Sequence, residues 1–187
     1  MKTIPLFLAI SIAIVTGIAG IGIGSFLTPE YRTTMYDKYA MNLGPADRTI
    51  DLRYANSMIA HHRGAMLLAE QLKENTKRPE LKALSEEILK NEPPAIDELY
   101  TWKKTWYGDT KKVRDPLVAN LGDAGETFDL RFLNAIIAHH EAGIIMTKDA
   151  RIKSSRTEVL DNANAVEAFL SEGIITLTNL RKNWYSL

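Results

Sequence analysis

The chain has 187 residues, 45% of them hydrophobic and 25% charged, a composition that can bury a core and argues against disorder. Twenty-three basic residues balance 23 acidic ones, so no basic field exists to hold nucleic acid, which is not expected as a partner. Cysteine is absent, which removes disulfides, thiolate metal sites and cysteine nucleophiles together and leaves methionine as the soft ligand.

Residues 4–27 (IPLFLAISIAIVTGIAGIGIGSFL) form an uncharged run of 24, longer than the ~7–15 of a signal-peptide core and the ~20 that cross a bilayer. The expectation is an N-terminal transmembrane helix, a signal anchor over 1–27, with the rest of the chain outside the cytoplasm, periplasmic or at the cell surface. A signal cleaved near Gly20 or Gly24 would instead give a secreted protein, and a buried core helix is a third reading. Lys2 is a weak orientation signal, because Arg32, Lys38 and Arg48 follow on the other side. Residues 28–47 carry two prolines and no sustained period and are expected to be a linker. Its Met35 and Met41, with three tyrosines between 31 and 39, are either extra soft ligands on a tether or incidental.

Beyond the linker the chain repeats. Asp51 recurs as Asp129, 78 residues on, and at that offset eight of the sixteen residues in 51–66 are identical. The same offset carries Leu99 onto Leu177, Lys104 onto Lys182 and Trp106-Tyr107 onto Trp184-Tyr185, so neither copy has a net insertion. Copy one spans about 48–108 and copy two about 126–187.

The apolar period within each copy is helical. Tyr54, Met58, His61, Ala65, Leu68 and Leu72 step by four and three, as do Phe132, Ile136, His139, Gly143, Met146 and Ala150. Breakers at Asn75–Pro79 and Lys153–Ser155 separate each first helix from a second, with seams through Leu81, Leu84, Ile88, Ile96 and Leu99, and through Val159, Val166, Leu170, Ile174 and Leu177. Two αα-hairpins make an all-α protein, a four-helix bundle over 48–187. Pro93-Pro94 inside one second helix removes two donors and predicts a kink or break there.

All four histidines lie in two adjacent pairs, His61-His62 and His139-His140, each preceded by Ile-Ala. Adjacent helical residues diverge by roughly 100°, so one of each pair sits on the seam and the other at its flank, His62 one turn from both Met58 and Met66. If the helices alternate up and down, the first and third run parallel across a diagonal of ~12–14 Å, which inward imidazoles and a metal can bridge. The alternative is two separate sites, each completed by its own hairpin. Neutral imidazole is the commonest metal ligand, and thioethers from Met58, Met66 and Met146 beside it favour copper, above all Cu(I), over hard cations. Zinc is possible, and each methionine taken singly also fits as core filler. Asp51 and Asp129 stand ~16 Å along the axis from the pairs and suit helix N-termini better than a shared metal.

An oxidative di-iron centre needs Glu-x-x-His motifs, and none occurs; nor does a serine elbow or a phosphate loop. Two other readings compete with metal binding. One is a helical interaction module with structural or pH-sensing histidines; the other, resting on analogy of fold, is a metal-dependent oxidoreductase.

With Asp51, Tyr54, Met58, His61, His62 and Ala65 on one helix, and Asp129, Phe132, His139, His140 and Met146 on the other, the chain over about 48–187 resembles the domain of unknown function 305 family. Members of that family are ferritin-like helical bundles of bacterial extracytoplasmic proteins, and some resemble periplasmic copper-binding proteins implicated in copper resistance. The resemblance implies copper binding. This chain departs from the pattern in three places. The family's second helix usually carries Gln, then Glu-Ile and a Met before a Trp, where this chain has Glu92, Ala95-Ile96, Leu99 and Trp102. Leu68 stands for the later methionine of copy one and Ile136 for the earlier methionine of copy two.

Overall fold

Each seam folds as its period predicts. The computed structural model describes residues 42–186, and among these the elements are four helices and no strands: α1 (Ile50–Asn75), α2 (Pro79–Tyr107), α3 (Phe128–Lys153) and α4 (Thr157–Tyr185). Their lengths of 26, 29, 26 and 29 residues repeat with the duplication. Every seam residue of α1 and α3 named above is buried, His61 and His139 included. Burying large seam side chains such as Tyr54, Leu68 and Phe132 stabilises the fold by roughly 1.5–3 kcal/mol each. The chain leaves α1 and α3 through extended residues, Thr76 at ψ 146° and Ser154 at ψ 149°, and three residues later starts the return helix.

The transmembrane helix expected over 1–27 lies outside the described residues, as do Met35 and Met41. Among the described residues no helix is long and apolar enough to cross a membrane. The last part of the expected linker is not loose. Leu43 is buried and its N–H donates to Asp149 at 2.8 Å, while Arg53 Nε donates to the Leu43 carbonyl. Copy two repeats the device, with Leu121 buried and Arg131 Nε donating to its carbonyl at 2.5 Å. The signal was Asn-Leu-Gly, present at 42–44 and again at 120–122. Gly44 and Gly122 adopt φ of 78° and 71°, a region open to glycine at little cost. The structural repeat therefore takes in residues 42–44 and 120–122, ahead of the helices.

The expected parallel pairing of first and third helices is overturned: α1 and α3 are antiparallel neighbours. Asp51, in the first turn of α1, meets Ser154 and Arg156 just past the end of α3, at 2.5 and 3.1 Å. At the opposite end Arg78, just past α1, meets Asp129 in the first turn of α3 at 3.3 Å. These contacts are the same pair in the two copies, so the hairpins are related by a pseudo-twofold axis through the α1–α3 interface. The two arginines repeat a second contact, Arg156 lying 4.1 Å over the Trp106 ring and Arg78 4.2 Å over Trp184.

What reverses α3 is the connection over residues 108–127. Lys103 Nζ donates to Lys111 O at 2.8 Å, Arg63 pairs with Asp115 at 2.8 Å, and Gln71 binds both Ala119 O at 3.0 Å and Leu121 N at 2.8 Å. The segment thus runs from the end of α2 along α1 from its middle to its last turns, the single long crossover that ferritin-like bundles carry. Across Pro93-Pro94, α2 continues from Pro79 to Tyr107, so of the expected kink or break the break does not occur. Leu81, Ala95, Ile96, Leu99 and Trp102 are buried along it, and that packing on both sides of the prolines outweighs two lost donors.

Candidate metal centre

Helices α1 and α3 come together where side chains are smallest. A Cβ on Gly143 would lie 2.5 Å from His61 Nε2, and one on Gly64 would lie 3.1 Å from His139 Cε1. Hydrogen in place of Cβ lets each seam histidine lie against the opposite backbone. His61 Nε2 reaches the carbonyl of His139 at 3.1 Å, and the two rings stack with centroids 3.8 Å apart and planes 20° from parallel. His62 and His140 stand outside this pair, their centroids 6.1 and 6.2 Å from those of their neighbours. The four imidazoles therefore form one contiguous layer across the pseudo-twofold axis.

Hydrogen bonds assign the tautomers. His61 donates Nε2–H to the carbonyl, so its lone pair is on Nδ1. His62 Nδ1 is bound by Glu92 Oε2, so its lone pair is on Nε2, the carboxylate–histidine arrangement that orients metal-binding imidazoles. Three buried ring nitrogens, His61 Nδ1, His62 Nε2 and His140 Nδ1, have no hydrogen-bond partner. Each such orphan costs about 1–3 kcal/mol unless something else binds it.

Burial, with the His62 charge adding to it, pushes His61 down to about 4. Burial and then His61 push His140 down to about 3, and the same causes hold His139 well below the usual histidine range. At neutral pH these rings are uncharged, the state in which imidazole binds a metal.

Met58 and Met146 are fully buried in one core cluster. The register that sets His61 beside Gly143 sets Met58 beside Met146, three residues back on one helix and three residues on along the other. Met66 is half-buried against the same cluster, its sulfur 3.8 Å from Arg63 Nη1. The structure thus gathers His61, His62, His139, His140, Met58, Met66 and Met146 about one interface. It does not point them at one atom. In a stacked pair the in-plane lone pairs of His61 and His139 run side by side, and among the described residues no three His, Asp or Glu side chains converge as a metal-ion cluster. Rotation of an imidazole about its broad second torsion is needed before two rings share an ion. Glu92 was legible only as a departure from the family pattern; its place beside His62 depends on how α2 packs against α1. Asp51 and Asp129 hold the hairpins together, as described above, away from the histidine layer.

No curated protein matches the chain. Solved structures do. "CopM in the Cu(I)-bound form" is 25% identical with a TM-score of 0.64, and "CopM in the Ag-bound form (by soaking)" is 26% identical with a TM-score of 0.63. "CopM in the Cu(II)-bound form", at 23% identity and TM-score 0.62, shares the fold. Each alignment covers 72% of this chain and 97% of the other. Over residues 51–116, from the first turn of α1 into the crossover, the sequence matches the model of the very family that its His-His helix resembles, Domain of unknown function (DUF305).

Proposed function

We propose that this chain is a copper-binding protein, holding Cu(I) by preference in the layer between α1 and α3, for buffering, delivery or resistance. The observation that carries the reading is a pair of buried ring nitrogens without protein partners, His61 Nδ1 and His62 Nε2, on a helix that also bears Met58 and Met66. A structural core histidine normally has its buried ring nitrogens hydrogen-bonded, so these two are free to bind a metal. His61 Nδ1 and His62 Nε2 would hold the ion together with thioether sulfur from Met58, Met66 or Met146, a soft donor set suited to Cu(I). The likeness to structures of CopM with Cu(I) and with silver, both soft monovalent ions, supports the same choice. An extracytoplasmic, membrane-anchored location belongs to this reading and is supported by the uncharged run over residues 4–27.

Titration of the full-length chain with Cu(I), Ag(I) and Zn(II), against a variant with all four histidines changed to Gln, tests it. The expected result is tight Cu(I) and Ag(I) binding, weaker Zn(II) binding, and loss of at least tenfold in Cu(I) affinity in the variant. Equal affinities in the two proteins would overturn it.

A further inference from the structure

The pseudo-twofold axis makes the surroundings of His62 and His140 directly comparable, and they differ in one direction. His62 has Met58 and Met66 one turn to either side and Glu92 on its Nδ1. The positions 78 residues on are Ile136, Ile144 and Leu170. Each of these three groups, two that could bind a soft cation and one that steers the ring, is thus a hydrocarbon beside His140. There the ring lies 6.4 Å from Phe169, and its edge is so close to Gly173 that a Cβ on that residue would come within 2.8 Å.

The buried methionines of the α1–α3 interface also fall on one side of the axis. Met58 and Met146 occupy the same level of the α1–α3 interface, and the axis carries them onto Ile136 and Leu68, both buried in the other core cluster. Sulfur thus lines the interface on one side of the axis, and hydrocarbon lines it on the other.

We infer that the duplicated site works on one side only: soft metal is taken at the His62 end, with thioether from Met58 or Met66 and with Glu92 orienting the ring, while the His140 end is a closed structural counterpart that binds none. The side chains at 58, 62 and 66 recur every ~6 Å along one helical face, so the imidazole reaches either sulfur without rearranging the backbone. Glu92 acts through Nδ1 and is a positioning residue. This inference rests on the proposed function, since it names the half of that site which is used.

The test is Ag(I) titration of the full-length chain as wild type, His62→Gln and His140→Gln, with folding checked by circular dichroism. His62→Gln should lose at least tenfold in affinity, and His140→Gln should keep stoichiometry and stay within about threefold of wild type. Failure of the wild type to bind Ag(I) would sink the proposed function. Binding by the wild type with equal losses in both variants, or a greater loss in His140→Gln, would overturn the one-sided site alone. Should a variant not fold, the wild type decides by NMR: the His62 ring and the Met58 and Met66 methyl signals should move on Ag(I) addition while the His140 ring stays. Movement of the His140 ring alone would refute the inference.

Discussion

His61 lies face to face with His139, 78 residues away in sequence, at 3.8 Å between ring centroids. Stacking at that distance depends on the absence of a side chain at Gly143, where an alanine Cβ would stand 2.5 Å from both His61 Nε2 and Leu170 Cδ1. Gly143→Ala would gain about 1 kcal/mol in helix propensity and lose roughly 1–3 kcal/mol to overpacking. We expect a net loss, with the His61 side chain displaced. Gly64→Ala, whose nearest neighbours would be at 3.1 and 3.4 Å, should be close to neutral. Urea unfolding of the two variants checks the order, and equal stabilities would show that the contact yields freely.

The depressed histidines make the metal-free fold acid-sensitive. In the folded chain His61 protonates at about 4 and His140 at about 3, against about 6.5 when unfolded. Above pH 6.5 both states are neutral and the histidines contribute no pH dependence. Below it the unfolded chain binds protons that the folded chain refuses, so stability falls as pH falls, until the folded rings protonate near 4 and 3. Thermal melts in chelator should show the melting temperature dropping between pH 7 and 5 by several degrees, at ~2–4 °C per kcal/mol. The double variant His61→Gln/His140→Gln should show a shallower slope, and an equal slope would mean that other groups carry the effect.

Asp51 holds the end of one hairpin to the start of the return helix in the other. It accepts from Ser154 Oγ at 2.5 Å and from Arg156 Nε at 3.1 Å, and its side chain is 11% exposed. Asp51→Ala should cost about 1–3 kcal/mol, mostly through the unpaired Ser154 and Arg156 donors. Because the Arg156 side chain is 37% exposed, a double-mutant cycle with Arg156→Ala should return a coupling of only about 1 kcal/mol or less. A coupling several times larger would place the pair in a drier environment than its exposure indicates.

Helix positions and buried faces were legible because they are local: the steps from Tyr54 to Leu72 and from Phe132 to Ala150 mark the same faces that the structure buries. Direction was not local. Nothing in either seam states whether α3 runs with α1 or against it; that is set by residues 108–127, whose anchors on Arg63 and Gln71 are long-range polar contacts. Their length was the available signal, since twenty residues are far more than a tight turn between antiparallel helices needs. The histidine layer was legible from the repeated pair, and its height survived the wrong direction because a twofold axis through the interface also brings equivalent residues together. Ring orientation and the role of Glu92 depend on packing at Gly143 and between α1 and α2, which no spacing encodes.

The most direct measurement is an anomalous difference map from crystals of the chain grown with Ag(I) or Cu(I). A peak is expected in the α1–α3 layer, within ~2.0–2.4 Å of His62 Nε2 or His61 Nδ1 and of a methionine sulfur. Peaks confined to sites away from the four histidines, or none at saturating metal, would contradict it.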